Sequence, residues 1–239
     1  MCESCAAVDR GVSRRGVMLG AGAALAAGAI SPRSAFAADE SAPDAISPDA
    51  ALERLMQGNA RCVANAQQQK DSALRRAGLV SAQHPTAAIV SCSDSRVAPE
   101  LAFDQGPGDL FVVRLAGNFV SDDGLASLEY AVKFLGVRLL MVLGHTDCGA
   151  VAAAVQVVTS RKELPGHLPK LIESIEPAVI AAHGRHPSDL VAAAIEENVK
   201  LNVKRMKEDE PILSEALAAN TVAAHGGIYD LATGKVSLL

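Results

Sequence analysis

An α/β fold is predicted, with a parallel-centred β-sheet flanked by helices and finished by a C-terminal edge strand or hairpin. Three features of the sequence point there. Short β-branched apolar runs alternate with longer stretches of helical periodicity, the order that βαβ units produce when strands are buried on both faces. Each run is bounded by Gly, Pro or polar residues. Only 3% of the 239 residues are aromatic and none is Trp, while 49% are hydrophobic, so the core must be built mainly from small aliphatic side chains.

The same composition excludes other classes. With 21% charged residues the chain lies close to ordinary globular usage, which argues against disorder, collagen-like repeats and a disulfide scaffold. The formal net charge is -5, from 22 Lys and Arg against 27 Asp and Glu. That leaves no excess of cations to neutralise a phosphate backbone, so a dedicated nucleic-acid binder is not expected and the partner is expected to be small.

The first 37 residues read as an address. Ser13-Arg14-Arg15-Gly16 precedes an Ala/Gly-rich apolar run over 19–30, and Ala35-Phe36-Ala37 supplies a small-x-small cleavage site. This order predicts a twin-arginine export signal over 1–37, cleaved after Ala37, and an exported product, periplasmic or secreted. A stable membrane anchor is not expected, because the apolar run falls short of the roughly 20 residues needed to span a bilayer and glycines dilute it. Cys2 and Cys5 form a C-x-x-C pair with no βαβ pattern around it, and they read as incidental. Residues 38–47 are rich in Ala, Ser, Asp and Pro and read as a solvated linker, leaving 48–239 as one domain.

Within that domain the first helix opens on Ser47 as cap and Pro48 as first helical residue, and Leu52, Leu55, Met56, Cys62 and Val63 recur at helical spacing. Cys62 is expected to be a buried structural thiol. Apolar runs over 87–91, 109–115 and 139–143 predict buried parallel strands. Helical patterns cover 126–135, 150–158, 168–182, 189–207 and 212–219. At the end, 221–229 and 235–238 flank the turn-rich 230–234 and predict a terminal hairpin or an added edge strand.

The chemistry-bearing residues sit where two predicted strands end, the position at which open α/β sheets place ligands. Cys92-Ser93-Asp94-Ser95-Arg96 follows the first strand, and Gly144-His145-Thr146-Asp147-Cys148-Gly149 follows the third. Cys92, His145 and Cys148 would offer two thiolates and one imidazole, a soft set suited to Zn2+, with a fourth position left for water or for Asp94. Two thiolates cancel the charge of the ion, so a neighbouring carboxylate is needed to assist proton removal; Asp94, fixed by Arg96, is the candidate. A closed structural zinc site is the competing reading of the same residues.

These two motifs resemble those of the β-class carbonic anhydrases. The resemblance extends from about residue 50 onward and includes Pro107-Gly108-Asp109-Leu110-Phe111-Val112-Val113-Arg114, Ala116-Gly117-Asn118, Ser127-Leu128-Glu129-Tyr130-Ala131 and Gly226-Gly227-Ile228-Tyr229-Asp230. It implies zinc held by Cys92, His145 and Cys148, an Asp94–Arg96 catalytic dyad, and a homodimer or higher even oligomer with active sites near the subunit interface. The implied reaction is the hydration of carbon dioxide to bicarbonate. Gln83, Phe111 and Tyr130 match the positions that line the substrate pocket in the family's open form, and the backbone N–H of Gly149 is expected to help position substrate oxygens. In the closed, bicarbonate-regulated form Asp94 would move onto the metal; that form carries a Trp where this chain has Ile89, so the open, plant-like type is expected. Leu115 departs from the Asn common at its position. Two other functions share the motifs: hydrolysis of a related heteroallene such as carbon disulfide or carbonyl sulfide, and a non-catalytic zinc-binding protein in which Asp94 permanently closes the metal.

Overall fold

A five-stranded sheet in the order β2-β1-β3-β4-β5 organises the computed structural model, which describes residues 46–68 and 72–239. The predicted export signal and all but the last two residues of the predicted linker lie outside the described residues. Strands β1 (Ala87–Ser91), β2 (Leu110–Arg114), β3 (Leu139–His145) and β4 (Ala223–Tyr229) pair in parallel, and β5 (Val236–Leu238) returns antiparallel to β4. Every residue of β1 and β3 is buried, which is why both read as unbroken apolar runs with no alternation. The predicted hairpin is present, and its first strand also joins the parallel sheet.

The period-two alternation of the strands divides the core between the two faces. On one face Ala88, Val90, Leu140 and Val142 pack with Leu128 and Ala131 of α4 (Asp122–Leu135), Val199 and Met206 of α8 (Leu190–Glu208), and Leu213 of α9 (Ile212–Ala218). On the other, Ala87, Ile89, Leu139, Met141 and Leu143 meet Ala51 and Leu55 of α1 (Pro48–Val63) and Phe103, just past the short helix α3 (Pro99–Ala102). Each large aliphatic side chain buried this way contributes about 1.5–3 kcal/mol. Gly144 in β3 is required by the close approach of α8: a Cβ there would stand 2.7 Å from the Val199 side chain.

Local signals set the helix ends. Ser47 Oγ accepts the N–H of Ala50 at 3.2 Å, with Pro48 opening α1 as expected. Helix α4 begins at Asp122, earlier than the pattern predicted, because Ser121 Oγ accepts the N–H of Gly124 at 3.1 Å and caps a first turn that reads as a polar loop. The stretch expected as one helix over 168–182 is two, α6 (Leu168–Glu173) and α7 (Glu176–His183). Pro177 explains the break: it has no N–H to give and its ring would clash with the carbonyl of Glu173 in a continuous helix. Helix α2 (Ser72–Gly78) was not anticipated; it and α3 are too short to show periodicity.

The C-terminal hairpin is held by a buried amide. Asn59 of α1 donates from Nδ2 to the carbonyls of Ala102 and Gly234, at 2.9 and 2.8 Å, and accepts the N–H of Val236 at 2.8 Å. Cys62 is half-buried, which corrects the expectation of a fully buried thiol, and its sulfur accepts from Gln67 Nε2 at 3.7 Å. Among the described residues no helix is long and apolar enough to cross a membrane.

Candidate metal centre

Beyond the carboxyl ends of β1 and β3 lies a third apolar cluster, in which Cys92 and Cys148 pack with Val151 and Ala154 of α5 (Gly149–Ser160), Ile175 and Val179 at α7, and Ala194 and Ile195 of α8. Cys92 follows β1 directly, His145 ends β3, and Cys148 is the N-cap of α5. The two sulfurs and an imidazole nitrogen all lie within 4.8 Å of one another, and all three residues are buried. Tetrahedral zinc with ordinary Zn–S and Zn–N bonds needs ligand atoms roughly 3.5–3.8 Å apart, a spacing the set can meet with at most a small adjustment.

The hydrogen bonding of His145 provides a further test of fit. Its Nδ1 lies 2.8 Å from the Thr146 carbonyl, which can only accept, so the ring proton resides on Nδ1 and the lone pair on Nε2. That Nε2 is buried with no hydrogen-bond partner. An orphaned buried acceptor costs about 1–3 kcal/mol, a penalty that a metal ion at this atom would remove. The Cys92 thiol is lowered to about 4, first because Cys148 donates to its sulfur, with the N–H of Gly117 adding at 3.2 Å against the opposing effect of burial. The same interaction and burial push the Cys148 thiol up. One negative charge is thus favoured between the two sulfurs, as a cation site requires.

Asp94 and Arg96 stand beside this triad. Arg96 donates from Nε to Asp94 Oδ1 at 2.9 Å and from Nη2 to Oδ2 at 2.7 Å, and its backbone N–H reaches Oδ1 at 2.9 Å. The guanidinium holds the carboxyl well below the usual carboxylate range, despite some opposing burial. Asp94 Oδ2 lies 3.9 Å from His145 Nε2. Arg96 also donates to the carbonyl of Asp147 at 3.3 Å, linking the two motif loops.

Gly149 is the first residue of α5, adjoining Cys148. Gln83, Phe111 and Tyr130 are not brought to the triad within one chain. Gln83 is exposed in the loop before β1, at the opposite end of the strand from Cys92. Phe111 is level with Ala88, four residues or about 13 Å of strand from Cys92, and it packs towards Tyr130 of α4 at a ring separation of 6.5 Å. Tyr130 in turn lies 5.4 Å from Phe134, and both rings are partly exposed on α4.

Sequence reasoning gave no role to Arg114, which ends β2 and donates to three carbonyls, Cys92 at 3.0 Å, Asp94 at 2.8 Å and Val97 at 2.7 Å. It shapes the loop that carries both a ligand and the dyad. Its place at a strand end, next to a motif, was the available signal.

An α/β sheet with a Cys–His–Cys triad and a carboxylate–guanidinium pair at its carboxyl edge defines a metalloenzyme class, and comparison with known proteins identifies it. The family model described as carbonic anhydrase matches residues 87–236. A carbonic anhydrase of Mycolicibacterium smegmatis is 39% identical over 194 residues, covering 80% of this chain and 93% of that protein. Carbonic anhydrase 2 of Mycobacterium tuberculosis is 38% identical over 192 residues, covering 80% and 92%. Among solved structures, the β-carbonic anhydrase CcaA superposes with TM-score 0.61 at 28% identity, covering 78% of this chain and 94% of that one. One of two tetrameric β-carbonic anhydrases from Sordaria macrospora gives TM-score 0.63 at 27% identity, covering 80% and 97%. The chain belongs to the carbonic anhydrase family, in its β class.

Proposed function

We propose that this protein catalyses the zinc-dependent, reversible hydration of carbon dioxide to bicarbonate and a proton. The observation that carries the reading is the buried triad of Cys92, His145 and Cys148 with the bare His145 Nε2 beside a bidentate Asp94–Arg96 pair. Zinc held by the triad would supply the Lewis acidity that makes a water molecule nucleophilic near neutral pH. Asp94 accepts a hydrogen bond from the attacking oxygen and so aims its lone pair at the substrate carbon. Arg96 keeps that carboxylate ionised and in place, which supports the open, plant-like type over one with Asp94 on the metal. The N–H of Gly149 at the start of α5 offers a donor for the oxygens of bicarbonate.

Gln83, Phe111 and Tyr130 lie away from the triad of their own chain, so in this reading they line the pocket of a partner subunit, whose apolar wall suits an uncharged, non-polar substrate. The protein works as a homodimer or a higher even oligomer, joined along the β2 and α4 side. The twin arginines and the Ala35-Phe36-Ala37 site support export of the folded enzyme, periplasmic or secreted; tagging the full chain and substituting Arg14 and Arg15 by Lys should then abolish export.

The deciding experiment pairs metal analysis with stopped-flow carbon dioxide hydration. One zinc per chain and rapid hydration are expected, with little sulfide release from carbon disulfide. Full zinc occupancy with no hydration at any pH would overturn the reading.

A further inference from the structure

The buried face of α8 carries two asparagines among its aliphatic residues, Asn198 at 1% and Asn202 at 7% exposure. Buried amides must be hydrogen-bonded, and these are bonded to each other and to one loop. Asn202 Nδ2 donates to Asn198, to its carbonyl at 2.7 Å and its Oδ1 at 3.1 Å, and Asn202 Oδ1 accepts the N–H of Val120 at 2.6 Å. Asn198 Nδ2 donates to the carbonyl of Gly117 at 2.8 Å. Helix α8 thus grips residues 117–120 at both ends.

That loop is the one that touches the metal-binding sulfur. Gly117 adopts a φ of +85°, and a Cβ on it would run into the Ile175 side chain, so its backbone is closely confined. In that conformation its N–H donates to Cys92 Sγ at 3.2 Å. One residue thus receives Asn198 on its carbonyl and delivers its N–H to the ligand. A hydrogen bond to a thiolate withdraws charge from sulfur and fixes its direction, and groups that orient ligands in this way commonly govern metal affinity.

We infer that Asn198, braced by Asn202, is a positioning residue of the metal centre: it fixes the Gly117 loop so that the backbone N–H sets the orientation and donor strength of Cys92. The inference rests on the zinc reading above and concerns a residue that touches neither metal nor substrate. Asn198→Asp is nearly isosteric but replaces the amide donor by a carboxylate facing the Gly117 carbonyl, which frees or repels the loop. The Cys92 sulfur, less well hydrogen-bonded, should then become a stronger charge donor and a less well placed ligand.

The test uses the full protein with zinc replaced by cobalt(II), whose sulfur-to-metal charge-transfer band reports the thiolates directly. In Asn198→Asp the band should move to longer wavelength, and the zinc dissociation constant, measured by chelator competition, should rise about tenfold or more. Asn59→Ala, which removes an equally buried amide network from the C-terminal hairpin, should leave the band in place. An unmoved band and unchanged affinity in Asn198→Asp would overturn the inference, as would an equal shift in Asn59→Ala. If Asn198→Asp does not fold, Asn202→Ala releases the brace while keeping the Gly117 carbonyl paired, and it should show the same shift in smaller measure; an unmoved band there overturns the inference too. Wild-type protein that binds cobalt with no sulfur-to-metal band, or binds none, sinks the zinc reading itself and this inference with it.

Discussion

Arg96 grips Asp94 through both carboxylate oxygens, at 2.9 and 2.7 Å, and at the same time reaches the Asp147 carbonyl in the loop between His145 and Cys148. One guanidinium therefore ties the proposed hydrogen-bond acceptor to the loop of two candidate metal ligands. The pair is expected to act as a unit. Asp94→Asn should lower hydration by about 100-fold or more while zinc content stays at one per chain. Arg96→Lys should restore little over Arg96→Ala, because an ammonium cannot reproduce the two-pronged contact. Stopped-flow hydration with metal analysis measures both; full activity in Asp94→Asn would remove the carboxylate from the mechanism.

Removal of metal should cost stability as well as activity. If the triad binds zinc, the two buried sulfurs and the unpartnered imidazole nitrogen would share the ion, and free zinc at about a thousandfold above its dissociation constant would stabilise by about 4 kcal/mol. Chelation should lower the melting temperature and zinc should restore it, whereas Cys148→Ser should gain nothing from added zinc. Calorimetry with and without chelator checks this, and coincident transitions would count against the triad.

Acid should weaken a second site, at the other end of the strands from the triad. Asp109 accepts from Arg75 Nη1 at 3.0 Å and from the N–H of Gly106 at 2.7 Å. Burial pushes its carboxyl up, but these donors outweigh burial and the net direction is down. Its contribution is therefore complete above about pH 4, the unfolded carboxylate value, and is lost as pH falls through the lower folded value. Asp109→Asn should cost about 1–3 kcal/mol at neutral pH, and its melting curve should converge with wild type as pH falls through the lowered folded value of Asp109. A gap that persists undiminished in acid would show that the carboxylate charge is not the cause.

Asn59→Ala deletes three hydrogen bonds, two that fasten α1 to the C-terminal hairpin and one that joins it to the end of α3. The expected loss is about 3 kcal/mol by urea unfolding. A loss under about 0.5 kcal/mol would mean that water replaces the amide.

Tyr130→Asp places a charge in the aromatic group of Phe111, Tyr130 and Phe134 beside the edge strand. Under the proposed assembly it should dissociate the oligomer and remove hydration together, read by light scattering and stopped flow. Monomers that remain fully active would refute a shared pocket.

How far the sequence foretold this differs with the range of the signal. The triad and the dyad were legible because each half lies within six consecutive residues at a strand end, so local order alone brought Cys92, Asp94 and Arg96, or His145 and Cys148, together. The buried strands were legible because burial on both faces writes an unbroken apolar run. The break at Ser174 and Ile175 was hidden by apolar periodicity that continues across it, although Pro177 marked it. The separation of Gln83 and Phe111 from their own triad could not be read locally, since it depends on which end of the sheet each occupies. Asn198 and Asn202 were invisible for the opposite reason: on a helix they read as ordinary polar residues, and only the packing of α8 against a loop some 80 positions earlier gives them work.

The junction of β3 with β4 ties the loop of His145 and Cys148 to a strand far along the chain. Thr146 donates its N–H to the Tyr229 carbonyl at 3.0 Å, and its hydroxyl oxygen accepts the N–H of Leu231 at 3.0 Å. The same Thr146 carries the carbonyl that orients the His145 ring. A nascent chain that has emerged only through His145 and Cys148 owns every ligand yet lacks the strand that steadies one of them. If zinc is the ion that the triad holds, its tight capture therefore depends on residues as far along the chain as Leu231, long past the last of the three candidate ligands.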